Sequence, residues 1–446
     1  MRGGFSSSSR NRGPGPPRTK SFVRARPSLR LVLIVLAACG ARAADPPFDS
    51  TQLLRGAIRL IHQNIDRAPR YTCRQTIYRN RYVPARSFKN CGEVLQAPTL
   101  ADFRLASSDR IRLDVSATGE GEIFSWAGAK AFQSDRMADV IGGGLSSSGD
   151  FDAFLVSIFA ADSVLYQYLG AIEAGGRRYA EYTYSIPEST SHYRVQTGRD
   201  PHDEKVVAYQ GRFLIDRENL ELKSLTVRMN PPPAEIKACG VETRIVYRRV
   251  AIGSARFLLP EQTLLIENST TGARSENRVE YDACHEFRSE SVFLASEEEP
   301  PSPALSSNAS AGFPELPVGL KLQIRLTTAI DPASAFAGDP IEGVLAKAVS
   351  LPHTRYVLPE KTRVYGRLMT CREDFLPQFS FVLGIRWDSI ETPAGRKPLT
   401  LAPLRNYRHG VAGETRPGTG AYLFDDARLG RDAGFTADWR VAEKRE

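Results

Sequence analysis

Residues 206–293 constrain the fold of this chain more than any other stretch. They read VVAYQGRFLIDRENLELKSLTVRMN and, after a Pro-rich break, RIVYRRVAIGSARFLLPEQTLLIENSTTGARSENRVEYDACHEF. Short apolar runs recur, separated by turn-forming residues at 216–219, 231–233, 253–254 and 271–272. The last run alternates: Val279, Tyr281 and Ala283 point one way, and Arg278, Glu280 and Asp282 the other. Period-two alternation between turns predicts antiparallel strands with one buried face. No catalytic motif falls on this sheet.

With 446 residues, length alone predicts two domains. The net charge of +8 is not a nucleic-acid signal. Arg2, Arg10, Arg12, Arg18, Lys20, Arg24, Arg26 and Arg30 lie in residues 1–38, which hold no acid, so the rest of the chain is balanced. Without a standing basic footprint, nucleic-acid binding is disfavoured. Residues 31–38 (LVLIVLAA) follow that basic stretch. They are too short to span a bilayer, which needs about 20 residues, and fit the apolar region of a signal peptide over residues 1–38.

The run ends Leu36-Ala37-Ala38-Cys39, like a bacterial lipobox, which makes Cys39 a candidate lipidation site and residues 39–49 a tether. Ala41-Arg42-Ala43 offers ordinary signal-peptidase cleavage instead, and an uncleaved anchor is the third possibility. Gly40 after the cysteine leans towards the outer membrane rather than inner-membrane retention. The expected location is the periplasmic face of the outer membrane, or the soluble periplasm.

Export sets the reading of the other cysteines, since pairing is the default in an oxidising compartment. Placement on neighbouring candidate strands predicts the disulfides Cys73–Cys91 and Cys239–Cys284, with Cys371 left over. No C-x-x-C pair is present, and only Cys284-His285 places a histidine beside a cysteine, so neither metal nor cofactor is expected.

Residues 50–66 form an amphipathic helix, with Ser50 as N-cap and Leu54, Ile58, Ile61 and Ile65 on one stripe. His62 beside that stripe is expected to be a satisfied, half-buried histidine rather than a ligand. Strands are predicted at 71–80, 103–106, 111–117 and 122–127, and a Gly/Ser loop at 141–149 without a phosphate-loop pattern. A second helix over 150–161 carries Phe151, Phe154, Leu155, Ile158 and Phe159 on one wide face. That face either plugs the core of the sheet or lines an apolar, ligand-binding cavity. Gly175-Gly176 marks a hairpin turn.

Residues 296–315 read as a disordered Pro/Ser-rich linker. Beyond it, 316–404 carries short strands with turns every 8–12 residues, a small all-β barrel or sandwich. There Asp339, between Gly338 and Pro340, reads as a turn residue. Residues 405–446 read as a polar tail with one possible last strand near Trp439. The fold class is therefore mainly β with a few helices.

Three local patterns give residues 50–295 a resemblance. Phe213-Leu214-Ile215-Asp216 leads into a strand, Val246-Tyr247 precedes Phe257-Leu258-Leu259-Pro260, and a strand centred on Tyr281 closes the set. Together they resemble the LolA and LolB lipoprotein carriers, whose unclosed antiparallel barrel, partly covered by helices, holds acyl chains. Leu316-Pro317, Gly319, Gly338-Asp339, Leu358-Pro359, Gly366 and Trp387-Asp388-Ser389-Ile390 resemble the small β-domain of TrbI-type conjugation-channel outer-ring proteins.

Three functions are compatible. The first is a non-enzymatic envelope lipoprotein that binds lipid acyl chains or a lipoprotein partner in its half-barrel. The second is an envelope scaffold or assembly protein with a filled core, acting on a protein partner through its β-domains. The third, a secreted hydrolase, needs a nucleophile–base set or paired carboxylates. The six histidines (His62, His192, His202, His285, His353 and His409) sit in no such context.

Overall fold

The described residues of the computed structural model are 48–443 except 97–99, 119–120, 144, 147–148, 161–163, 197–202, 288–313, 394, 405–410, 417–418 and 425–434. The leader with Cys39, and the linker up to residue 313, lie outside them. Asp49–Glu446 forms one compact unit.

Four helices are described: α1 (Ser50–Arg67), α2 (Cys91–Gln96), α3 (Met137–Ile141) and α4 (Ala153–Phe159). The first twelve strands are β1 (Tyr71–Pro84), β2 (Phe103–Thr118), β3 (Gly121–Trp126), β4 (Leu165–Ala174), β5 (Arg177–Ile186), β6 (Arg194–Gln196), β7 (Glu204–Val206), β8 (Tyr209–Asp216), β9 (Leu222–Met229), β10 (Ala238–Ile252), β11 (Ala255–Ser269) and β12 (Arg274–Glu286). Apart from the separate β6–β7 pair, they form one antiparallel sheet in the order β4-β5-β8-β9-β10-β11-β12-β1-β2-β3. Its end strands β4 and β3 do not pair with each other, so the barrel is open. The meander over 206–293 is its centre, and the alternation of Val279 and Tyr281 puts both inside, 7% and 3% exposed. Gly175 and Gly176 turn β4 into β5 at φ 57° and 75°, a backbone region other residues adopt at a cost.

α1 and α4 fill one end of the concave face. Asp49, not Ser50, caps α1: its carboxylate accepts from the N–H groups of Thr51 and Gln52 at 2.9 and 3.0 Å. A carboxylate at an N-terminus also meets the positive end of the helix dipole. His62 Nε2 lies 2.9 Å from the carbonyl oxygen of Phe159, so the histidine is satisfied and ties α1 to the end of α4. Leu155 and Ile158 are 1% and 0% exposed, packed with Ile61, Phe213 and Leu225. Burial of that kind stabilises by about 1.5–3 kcal/mol per side chain.

The remaining strands are β13 (Lys321–Leu326), β14 (Pro340–Leu345), β15 (Val349–Ser350), β16 (Val357–Leu358), β17 (Arg363–Asp374), β18 (Ser380–Thr392), β19 (Gly395–Pro398), β20 (Leu401–Pro403), β21 (Val411–Arg416), β22 (Thr419–Phe424) and β23 (Thr436–Val441). They pair in the order β20-β23-β13-β14-β17-β18, and β19 and β22 share the far edge of β18. The strand expected near Trp439 is β23. It sits inside the sheet between β13 and β20, with Trp439 1% exposed. Composition predicts a polar tail over 405–446, yet β21 and β22 also form there. Gly420 and Ala421 of β22 find partners on β18, a long-range pairing that polarity does not reveal.

The two β regions are joined by strand pairing. β2 has 16 residues, but β3, its partner on one edge, has only 6. The uncovered part of that edge exposes unpaired backbone groups, and the end of β17 pairs there, Arg372–Asp374 against Ser107–Asp109. Arginines fasten the join. Arg112 pairs with Asp339 at 2.7 Å, Arg110 donates to the carbonyls of Pro332 and Ala333, and Arg367 donates to Ala127 O at 2.8 Å. Asp339 is a turn residue, accepting from Phe336 N–H at 2.9 Å, but its other oxygen meets Arg112.

Cys73, Cys91, Cys239 and Cys284 are all bonded, but in a different pairing: Cys73–Cys284 and Cys91–Cys239. The expected partners are not on adjacent strands. β12 returns to pair with β1, with Thr72 opposite His285, which brings Cys284 to Cys73. Cys91 lies on α2, which packs on β10 beside Cys239, and β11 separates Cys239 from Cys284. Cys371 is free and buried, and burial pushes its thiol up to about 12.

Candidate ligand-binding cavity

A cavity of about 810 Å³ opens beside α4, within the range of sites that hold small molecules or acyl chains. One wall is the inner face of the sheet: Tyr209 of β8, Met229 of β9, Val241 of β10, and Leu265 and Glu267 of β11. Alternation along each strand is what aims these side chains inward. A second wall comes from Met137 of α3 and Ala153, Phe154 and Ser157 of α4; the third comes from His192 and the β6–β7 pair. Phe154, Tyr193 and Tyr209 meet edge to face, with ring centroids 5.5, 5.7 and 6.3 Å apart. The lining is not purely apolar. Asp135, Arg136, His192, Arg194, Glu204, Glu235 and Glu267 also reach it, because strand ends and connections frame its mouth.

Glu267 is the charged group set into the sheet wall. It is half-buried, with Val241 and Ser275 opposite it on the neighbouring strands and Leu265 two residues along, and among the described residues its carboxylate makes no hydrogen bond or ion pair. Burial raises its carboxyl above the ordinary value. Glu235, by contrast, is paired with Lys205 at 3.3 Å.

A second group of acids lies under the turn that leads into α4. Glu122, at the start of β3, accepts from the N–H groups of Gly149 and Phe151 at 2.9 and 3.4 Å. Burial, then the neighbouring Asp150, pushes its carboxyl up to about 8. Asp150 is raised by burial although Tyr281 donates to it at 2.7 Å, and burial pushes Asp152 up to about 6. Glu122, Asp150 and Asp152 do not line the cavity. The bonds of Glu122 hold the turn and that of Asp150 ties it to β12. Sequence reading missed this group. The only trace was two aspartates flanking Phe151, and their partner Glu122 lies 28 residues before Asp150.

Of the five residues expected to form an apolar binding face, Phe154 lines the cavity. Phe151 packs against Tyr71 and Tyr281 at 5.6 and 4.9 Å. Leu155, Ile158 and Phe159 belong to the core, with Phe159 5.1 Å from Phe213. Helix α4 has seven residues, fewer than the stretch 150–161, and most of its apolar face points into the protein. The helix thus plugs the core with one side and borders the cavity with another. Among the described residues, no set of three or more His, Cys, Asp or Glu is placed to hold a metal ion. No described helix is long and apolar enough to cross a membrane.

No protein-family model and no curated protein matches this chain. Among solved structures, a DUF1329 family protein from Desulfovibrio piger aligns at 9% identity and a TM-score of 0.26, covering 56% of this chain and 96% of that one. The Mycobacterium tuberculosis lipoprotein LppX aligns at 9% identity and a TM-score of 0.20, covering 54% and 98%. Likeness at that level assigns no function to this chain. None of these comparisons supports the TrbI-type resemblance of the C-terminal β region.

Proposed function

We propose that this chain is an exported bacterial envelope lipoprotein that is anchored through Cys39 and binds acyl chains, of a lipid or of a lipoprotein, in its half-barrel without catalysing a reaction on them. The cavity of about 810 Å³ carries this reading. Its wall of Phe154, Tyr209, Met229, Val241 and Leu265 suits an alkyl chain, whose burial contributes about 0.8 kcal/mol per methylene. Its polar mouth suits a head group at the surface. Residues 31–39 support export and anchoring, with the periplasmic face of the outer membrane as the proposed location and the soluble periplasm as the alternative.

A second reading, a ligand-free envelope scaffold, is favoured by Leu155, Ile158 and Phe159, which fill the core beneath α4. Titration of the mature protein with an uncharged fluorescent monoacylglycerol separates the two. Saturable one-to-one binding is expected, and Ala153→Trp, from an exposed position on the cavity wall, should weaken it with the circular dichroism spectrum unchanged. Folded wild-type protein that binds no probe would leave the scaffold reading.

A further inference from the structure

We propose that the ligand of this cavity carries a cationic amine, held by the Glu267 carboxylate inside the sheet wall. The proposal rests on the cavity being a binding site and names the chemistry of its occupant. Four carboxylates reach the lining, Asp135, Glu204, Glu235 and Glu267, against the two guanidiniums of Arg136 and Arg194. Its carboxylates therefore outnumber its guanidiniums. Position matters more than the count. Asp135, Glu204 and Arg194 are exposed at the mouth, where water screens them, and Glu235 already has Lys205. Glu267 sits deeper, on β11 opposite Val241 and two residues from Leu265, and nothing in the described protein donates to it.

A carboxylate taken partly out of water without a partner is costly to keep. Val241 and Leu265 carry no donor and Ser275 across the sheet does not donate to it, so the missing donor can come from what enters the cavity. An ammonium group satisfies it with a charge-assisted hydrogen bond. Burial favours the protonated acid at Glu267, and an incoming cation reverses that preference. The rings of Phe154, Tyr193 and Tyr209 also line the cavity, and aromatic faces attract cations. A fatty acid would instead bring a second carboxylate towards the first. An amine-bearing amphiphile, with its alkyl part against Met229 and Leu265, fits both the charge and the apolar wall.

Competition against the bound monoacylglycerol probe tests this at neutral pH, below the micelle concentrations, with dodecylamine, dodecanol and dodecanoate on wild type and Glu267→Gln. On wild type, dodecylamine should displace the probe at a concentration about tenfold or more below dodecanol, as one charge-assisted hydrogen bond implies, and dodecanoate should be the weakest. Glu267→Gln should bring the potencies of amine and alcohol together. Equal potency of amine and alcohol on wild type, or an amine preference that survives Glu267→Gln, overturns the proposal and leaves the cavity as an acyl site. A folded protein that never binds the probe overturns both.

Discussion

Glu122→Gln gives the sharpest test of the buried acids beneath α4. Glu122 is mostly buried and accepts from Gly149 and Phe151 N–H groups. An unfolded chain releases its proton near the ordinary 4.5, whereas the folded chain holds it up to about 8. Between those values the folded state binds more protons than the unfolded state, so stability falls as pH rises through that window. The contribution is fully present below 4.5 and lost by about 8. At about 1.4 kcal/mol per pH unit, the ceiling is roughly 5 kcal/mol. Glutamine keeps a carbonyl to accept from the two N–H groups and cannot ionise. Glu122→Gln should therefore match wild type within about 1 kcal/mol at pH 5 and exceed it by several kcal/mol at pH 9. Urea unfolding at pH 5, 7 and 9, with the m-value held constant, reads the difference directly. Asp150 and Asp152 are also raised, and Asp150 repels Glu122, so part of the difference belongs to the coupled acids rather than to Glu122 alone. Wild type and variant that change in parallel from pH 5 to pH 9 would refute the reasoning.

Cys39→Ser should abolish metabolic labelling with palmitate and release the protein from membranes; labelling that persists rules out Cys39 as the anchor. Non-reducing peptide mapping should recover Cys73–Cys284 and Cys91–Cys239. Each closes a loop of well over 100 residues, so breaking one should cost about 2–5 kcal/mol; a peptide joined through Cys371 would contradict the assignment. Protease should cut first within the Pro/Ser-rich stretch 296–313, and the two fragments should co-elute on gel filtration because β2 pairs with β17. Fragments that separate and each keep a cooperative melt would show that the two β regions fold independently.

The sheet was legible because its signal is local. Alternation over 274–286 and the glycines at 175–176 fix strand, face and turn without reference to distant residues. Pairing between distant strands was not. Nothing near Cys73 tells that β12 lies beside β1, so the disulfide partners were misassigned although the bonded cysteines were identified. The free edge of β2, which takes up β17, depends on β3 being short: it ends at Trp126, and no motif marks that end. In the site, the aromatic helix was visible from composition, but its orientation was not. An apolar face looks the same whether it meets Phe213 and Leu225 or a ligand. Glu267 was hidden for a related reason: a glutamate in a strand reads as the solvated face until the register shows it beside Val241 and Leu265.

The central claim is that the cavity beside α4 holds an acyl chain in the protein as the cell makes it. Native mass spectrometry of the mature protein, released gently from its membrane and compared with Ala153→Trp, addresses that most directly. The expected spectrum shows wild type carrying one lipid-sized adduct that fragments to an acyl chain, and Ala153→Trp folded but without it. Wild-type protein that appears only at its bare mass, or an adduct that Ala153→Trp retains in full, would contradict the claim.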